Sequence, residues 1–207
     1  PVERVLDASV DQGAGRFIYL SSTSVYGNHD GAWVDEETPT APSSPYGRMR
    51  RDIEEYVLGR AGAIDVNVAR LVGIYGPGRT MLNYMKSGRY KLVDGGRKPT
   101  NRIHVDDIVQ SIVAMVERAP EGGRLYNVSD GHPRRIAEVV DWLVEHCGIE
   151  RPEEVSLEEY RRQRGENAAA RWENTYRVSN ERLTDQLGVE LRYPDVLDGY
   201  ADIFEVQ

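Results

Sequence analysis

The stretch Arg16-Phe-Ile-Tyr-Leu-Ser-Ser-Thr-Ser-Val-Tyr-Gly27 joins a short, nearly continuous apolar run to a cluster of hydroxyls and a glycine. Apolar residues at successive rather than alternate positions fit a strand covered by helices on both faces, as in a parallel sheet. Upstream, Val2, Val5, Leu6 and Val10 fall at helical spacing and stop at Gly13 and Gly15, a helix C-terminus. Downstream, a Gly- and Pro-punctuated loop over about 27–43 leads to Ser44-Pro45, an N-cap followed by a proline at the first helical position. The helix it starts runs to about Gly59, with Ile53, Tyr56 and Val57 on its apolar face. Asp65-Val-Asn-Val-Ala-Arg-Leu71 reads as the next strand, alternating on one side, and ends at the turn Gly73-Ile-Tyr-Gly-Pro-Gly78. Helix, strand, helix, strand is the order of βαβ units, so the expected fold is α/β around a parallel sheet.

Further along, Met81 to Gly88 reads as a short helix, and Tyr90–Val93 and Arg102–Val105 as short strands. Asp106 is the expected cap of a helix whose Ile108, Val109, Ile112, Val113, Met115 and Val116 form a wide apolar face. Arg124–Val128 is a strand and about 135–146 a helix. From Glu150 the chain is charged and helical; Ser156-Leu-Glu-Glu159 is a capping box, followed by Arg161, Arg162 and Arg164. That basic cluster reads as a solvated helix face, with phosphate binding as the alternative.

Composition narrows the function. The 207 residues carry 26 Lys and Arg against 34 Asp and Glu, a net charge of −8, which argues against a chain-wide phosphate-binding surface and so against nucleic acid as a partner. Cys147 stands alone, so neither an internal disulfide nor a multi-cysteine zinc site is expected, and a reducing cytoplasm is the expected compartment. No histidine sits at metal-ligand spacing; His104, inside an apolar strand, and Cys147, on an apolar helix face, read as structural. No apolar run approaches the roughly 18 residues of a membrane span, and no signal-peptide pattern is present.

The chemistry gathers at the end of the first strand. Ser21, Ser22, Thr23 and Ser24 place hydroxyls at the carboxyl edge of the expected sheet, where ligands bind in open α/β folds. Tyr46 opens the next helix with Arg50 four positions later, so phenol and guanidinium share one face. A phenol with pKa about 10 is a poor base at neutral pH, and a neighbouring positive charge favours its ionised form. Hydroxyl, phenol and cation together make a proton-transfer set in which serine holds a substrate oxygen and tyrosine moves the proton.

Four blocks, Ser21-Ser-Thr-Ser-Val-Tyr-Gly27, Ser44-Pro-Tyr-Gly47, Arg70-Leu-Val-Gly-Ile-Tyr-Gly-Pro-Gly78 and Ile103-His-Val-Asp-Asp-Ile108, resemble in content and order the extended short-chain dehydrogenase/reductases, the NAD-dependent epimerase/dehydratase group. The resemblance covers nearly the whole chain. It implies a Rossmann-like, doubly wound parallel sheet, here with its later strands only, and a smaller C-terminal α/β substrate region. Residues 1–78 would be the later part of the NAD(P)-binding domain and 79–207 mainly substrate region, with about 102–128 returning to the sheet. It implies NAD or NADP as hydride store and a sugar or nucleotide-sugar carbinol as small-molecule substrate. Ser22, Tyr46 and Arg50 would be catalytic. Leu20, Ser21, Tyr46, Arg50, Val72, Gly73 and Ile74 would line the cofactor, and Ser22, Thr23, Ser24, Gly73 and Arg102 the substrate. A homodimer through helices over about 45–59 and 1–13 is also implied.

Three positions depart from the family pattern. Arg50 stands where the family has lysine, keeping the charge but not the compact ammonium. Gly73 stands for the asparagine common in sugar-nucleotide members, and Thr100 for a diphosphate-binding arginine, with Arg102 two residues on and on the same strand face. These departures motivate the alternative of a non-catalytic NAD(P)-binding sensor or regulatory protein of the same fold. The family's opening strand and Gly-rich turn have no counterpart; Gly13-Ala-Gly15 lies between a helix and a strand, the reverse of the required order. With Pro1 in place of Met, the chain is expected to be the later part of a longer protein.

Overall fold

A computed structural model describes residues 2–205, so the expectations for Pro1 lie outside the described residues. Helix α1 (Val2–Asp11) ends before Gly13, whose φ of +69° lets the chain turn into β1 (Arg16–Ser22). A 3₁₀ turn over Thr23–Val25 follows, then β2 (Trp33–Val34), α2 (Pro45–Leu58), β3 (Asp65–Leu71), β4 (Gly73–Tyr75) and α3 (Met81–Lys86). The second half runs through β5 (Leu92–Val93), β6 (Pro99–Thr100), β7 (Arg102–His104), α4 (Val105–Arg118), β8 (Gly123–Val128) and β9 (Arg134–Arg135). It continues with α5 (Ile136–Cys147), β10 (Glu154–Val155), α6 (Leu157–Arg164), α7 (Glu166–Glu173), β11 (Arg177–Val178) and α8 (Val196–Phe204).

The organising sheet is parallel, in the order β1-β3-β8, with Ser22, Leu71 and Val128 side by side at its carboxyl edge. The α/β expectation therefore holds. β3 departs from the one-sided alternation expected of it: every residue from Val66 to Leu71 is buried, Asn67 and Arg70 included. It is the central strand. Leu6 of α1 and Val57 of α2 pack with Val66 and Val68 on one face, and Ile108 and Met115 of α4 pack with Ala69 and Leu71 on the other. β1 departs the opposite way. Expected to be buried on both faces, it keeps only Ser21 fully buried and leaves Leu20 42% exposed, because among the described residues it is paired on one edge alone.

Helix α4 also corrects its reading. His104, not Asp106, is the N-cap: its Nδ1 accepts from the Asp106 amide at 3.2 Å, and Val105, expected as strand, begins the helix. Of the expected apolar face, Ile108 and Met115 enter the core, whereas Val109, Val113 and Val116 are exposed, with Val105 in the same row. An arc that wide exceeds what one sheet face covers. Val5, expected on the inner stripe of α1, likewise points outward. The short strand expected over Tyr90–Val93 contracts to Leu92–Val93.

A second core, built from Met81 and Leu82 of α3, Val139 and Leu143 of α5 and Tyr200 of α8, forms the smaller region. It is tied to the sheet region ahead of α8, where the buried Asp107 carboxylate of α4 accepts from the amides of Arg192 and Tyr193 at 2.7 and 3.1 Å, while β11 and β2 pair within the first core.

What fixes α2 to the sheet is a buried ion pair. Arg70 of β3 and Glu54 of α2, with side chains 6% and 3% exposed, meet at 2.7 Å, and Arg70 Nε adds contacts at 3.1 and 3.2 Å. The guanidinium also lies 4.8 Å from the centre of the Tyr26 ring. Glu54→Ala, which strands the Arg70 charge in the interior, is expected to cost about 3–5 kcal/mol in urea unfolding, with the Glu54→Leu/Arg70→Met double variant losing less. Equal losses for the two would contradict a coupled pair.

Candidate active site

The carboxyl end of β1 is shaped by its own hydroxyls. Ser22, still extended at φ −148°, caps the 3₁₀ turn: its Oγ accepts from the Ser24 amide at 3.2 Å, which leaves its proton free to be donated. Thr23 turns inward, 5% exposed, and its carbonyl accepts from the Tyr176 hydroxyl at 3.1 Å. Ser21 is buried on the α2 side with an Oγ that has no partner.

Helix α2 starts against this turn. Ser44 caps it by accepting from the Gly47 amide at 3.0 Å, and Pro45 supplies the first helical position. Gly47 is required by close approach: a Cβ there would sit 2.8 Å from the Ser24 carbonyl oxygen and 2.8 Å from Pro42 Cβ. The contact carries Tyr46, 62% exposed, to the side of the β1 terminus, and the Arg50 guanidinium lies 4.9 Å from the Tyr46 ring centre. Tyr46, Arg50 and Glu54, spaced by four, form one stripe that descends from solvent to the buried ion pair. Burial pushes the nearby Tyr19 phenol up, with the Arg50 charge opposing it. The deeper Tyr26 phenol, 2.7 Å from the Asp35 carbonyl and 2.8 Å from Asn127 Oδ1, is pushed up to about 12 by burial.

Beyond β3 the chain pairs with β7, Gly73 opposite Arg102 and Tyr75 opposite His104. Arg102 lies across Gly73, where an added Cβ would stand 3.0 Å from its Nη1 and 3.2 Å from its Cδ. His104 is 2% exposed, held between the rings of Tyr75 and Tyr193 at 5.1 and 4.2 Å, and burial lowers its pKa. Its neutral Nδ1 is the acceptor that caps α4, so its role is structural.

A cavity of about 800 Å³ opens from Gly73–Tyr75 toward α6 and α7. Ser22, Tyr46 and Arg50 stand outside its wall, so the structure groups the sequence candidates in two places: β1 with α2, and Gly73, Ile74 and Arg102 at the cavity. Sequence reading missed most of the cavity. Arg79, Arg89, Lys91, Lys98, Arg164 and Arg171 join Arg102 there, with no Asp or Glu in the lining; Lys91 pairs with Glu153, and none of the other six has a carboxylate partner among the described residues. Tyr84, Tyr90, Tyr160 and Trp172 supply aromatic surface. The basic cluster of α6 divides: Arg161 and Arg162 pair with surface glutamates, whereas Arg164 faces the cavity and donates to the Arg89 carbonyl at 3.0 Å. Lys98 donates to the Arg171 carbonyl, and burial without a carboxylate lowers it to about 8.

With this geometry in view, the comparisons with known proteins agree on the family. The model of the NAD dependent epimerase/dehydratase family matches residues 2–129, and the chain belongs to that family. Protein YeeZ of Escherichia coli K12 is 30% identical over 201 residues, spanning 95% of this chain and 65% of YeeZ. A dTDP-glucose 4,6-dehydratase of Streptomyces griseus is 30% identical over 159 residues, 72% of this chain and 48% of that protein. This chain thus spans about half to two thirds of the length of these relatives. Among solved structures, a conserved protein of unknown function from Silicibacter pomeroyi superposes with a TM-score of 0.89 at 34% identity, over 99% of this chain and 72% of the other. DesIV, a dTDP-glucose 4,6-dehydratase from Streptomyces venezuelae with NAD and TYD bound, gives 0.80 at 20% identity over 98% and 63%, a likeness of fold.

Lys98 provides a direct check on the cavity's electrostatics. In ¹³C-dimethylated protein its NMR signal is expected to titrate near 8, against about 10.4 for an ordinary lysine. Because the folded value lies below the unfolded one, the native chain should gain stability over Lys98→Met as pH rises from about 8 toward 10. An ordinary midpoint would contradict a buried, acid-free surrounding.

Proposed function

We propose that this chain of the NAD-dependent epimerase/dehydratase family carries the proton-transfer and substrate side of a hydride-transfer enzyme acting on a carbinol of a sugar or nucleotide sugar. The observation that carries the reading is the seating of Tyr46 and Arg50 on the first turns of α2, against the turn that begins at Ser22. The carboxyl end of β1 fits the nicotinamide side of NAD: Leu20 offers exposed apolar surface, Ser21 Oγ is buried without a partner, and the outer backbone edge is unpaired among the described residues. Leu20, Ser21, Val72, Gly73 and Ile74 would hold that end, together with Tyr46 and Arg50. The fit stops there, since Gly13 and Gly15 lie between α1 and β1 and make no strand-to-helix turn for a diphosphate. When bound, the cofactor supplies hydride acceptance and return at the substrate carbon.

The residues do the rest. Ser22 donates its free proton to the substrate oxygen and fixes its direction. Tyr46 takes the hydroxyl proton as the carbinol becomes a carbonyl and returns it on reduction, and Arg50 offsets the charge that develops on the phenol oxygen. Outward apolar side chains on α1 and α2, Val5 and Met49, support a homodimer through these helices, to be read as a dimeric mass in sedimentation. Among the described residues no helix is long and apolar enough to cross a membrane, in keeping with a cytoplasmic site of action.

A second reading, an NAD(P)-binding sensor without turnover, is favoured by one observation: the Arg50 guanidinium lies over the face of the Tyr46 ring rather than at its hydroxyl. Tyr46→Phe is expected to slow turnover about 100- to 10,000-fold on a nucleotide-sugar panel with little change in NAD affinity. Unchanged turnover moves the proton transfer elsewhere; NAD binding with no turnover in either the native protein or Arg50→Lys favours the sensor; a full-length protein that binds neither NAD nor NADP in calorimetry overturns both.

A further inference from the structure

The cavity outside the proton-transfer group carries a charge pattern that says something about its ligand. In a chain of net charge −8, seven cations line one cavity that has no Asp or Glu in its wall, and among the described residues only Lys91 of the seven has a carboxylate partner, Glu153. Like charges gathered this way repel one another, and a bound anion relieves that cost. Six of the seven lie on segments around α3, β5, β6, α6 and α7. Arg102 alone sits on the strand ladder next to the sheet edge, opposite Gly73, which is two residues past Leu71, the register partner of Ser22.

Arg102 and Gly73 form a matched pair. Any side chain at 73 would meet Arg102 Nη1 at 3.0 Å, its Cδ at 3.2 Å and the Asn101 carbonyl at 3.0 Å. The guanidinium therefore fills the space that a side chain at 73 would need, and its Nε is buried without a partner. Asp130, bonded through its amide to the Arg102 carbonyl at 2.8 Å, makes no ion pair with the guanidinium; it is buried with Oδ2 unpartnered, and burial pushes its carboxyl well above the usual range, with the Arg102 charge opposing the shift. The surrounding ladder residues Ile74 and Ile103 add no further donor side chain.

We propose that Arg102, admitted by Gly73, is the specificity-determining residue of this site and takes the carboxylate of an acidic sugar next to the reacting carbon. One planar guanidinium, with Ile74 and Ile103 beside it and the phenol of Tyr75 further along the ladder, suits the two oxygens of a carboxylate, whereas a phosphoryl dianion is better met by several cations, as on the α3, α6 and α7 side of the cavity. The proposal rests on the hydride-transfer reading for where the reacting carbon lies, but its test does not need turnover.

Calorimetry on the full chain compares UDP-glucuronic acid with UDP-glucose, and glucuronate 1-phosphate with glucose 1-phosphate. A charge-assisted pair predicts an acid preference of about 10- to 100-fold in both comparisons. Arg102→Leu should bring the ratio to about one, and Gly73→Ala, which crowds a guanidinium that is still present, should also lower it; thermal melts confirm that each variant folds. Equal affinities in the native chain, no binding of any of the four, or a preference that survives Arg102→Leu overturns the proposal. Glucose 6-phosphate gaining as much over glucose as the acids gain, and losing it in Arg102→Leu, overturns the carboxylate assignment in favour of a phosphoryl group. An Arg102-dependent acid preference in the 1-phosphates without binding of either nucleotide sugar supports Arg102 and overturns the nucleotide part of the functional reading. The same preference in a chain whose turnover ignores Tyr46→Phe supports Arg102 and overturns the assigned proton transfer.

Discussion

The buried pair of Glu54 and Arg70 is the constraint on which the rest of the candidate site depends. Removing two charges from water is unfavourable unless each finds the other in good geometry, so the pair tolerates little displacement of α2 along or across β3. Arg70 also lies on the Tyr26 ring, and the Tyr26 hydroxyl reaches Asn127 of β8, so one connected set of polar groups joins β3, β8 and the turn that follows β1. Glu54 sits two turns beyond Tyr46 on the same helical stripe. Fixing the lower end of the stripe in the core fixes the exposed phenol and the Arg50 cation relative to Ser22. Such a network is rigid only when its members are satisfied, and Arg70 Nη1, buried without a partner, is the one place where it is incomplete.

Much of this was legible in the sequence because the signals are local. Hydroxyls at a strand end, a capping serine followed by proline, and a phenol with a cation four residues on are all read within a few residues of one another, and each element stands where its motif put it. The cavity was not legible. Arg79, Arg89, Lys98 and Arg171 come from separate segments with no common spacing, and they converge only when the second core packs α3, α5 and α8 together. Only Arg164 carried a hint, as one of three arginines after the capping box, and the helix then sorted them by face. Burial was misjudged wherever it depended on neighbours in the sheet rather than on residue type. Asn67 and Arg70 are polar yet buried because β3 is central, and Leu20 is apolar yet exposed because β1 is at the edge.

The edge of β1 and the outer row of α4 are two aspects of one feature. Arg16, at the start of β1, donates to the carbonyls of Val116 and Ala119 at 2.7 and 2.8 Å, a cation at the negative end of the α4 dipole. The contact holds the helix beside the open strand edge and aims Val105, Val109, Val113 and Val116 outward along that flank. Apolar burial in the described residues is thus lopsided, complete around β3 and partial around β1. That places the exposed Leu20 surface, on which the nicotinamide fit rests, on the side where the sheet is open.

The departures from the family pattern differ in physical standing. At Gly73 the space that a side chain would need is taken by Arg102, so the two positions act together in what the site presents, a charge in place of a neutral side chain at 73. At Arg50 the charge is kept while its placement shifts, because a planar guanidinium stacks on an aromatic face where an ammonium would remain a point charge. On the proposed function, the first bears on which substrate is stabilised and stands apart from the proton-transfer group. The second acts on the phenol itself, where a cation over the ring stabilises negative charge on the oxygen less than one beside it, by Coulomb's distance dependence. On the proposed function, the first geometry bears on ligand preference and the second on proton transfer, and the Glu54–Arg70 anchor holds the second of them in place.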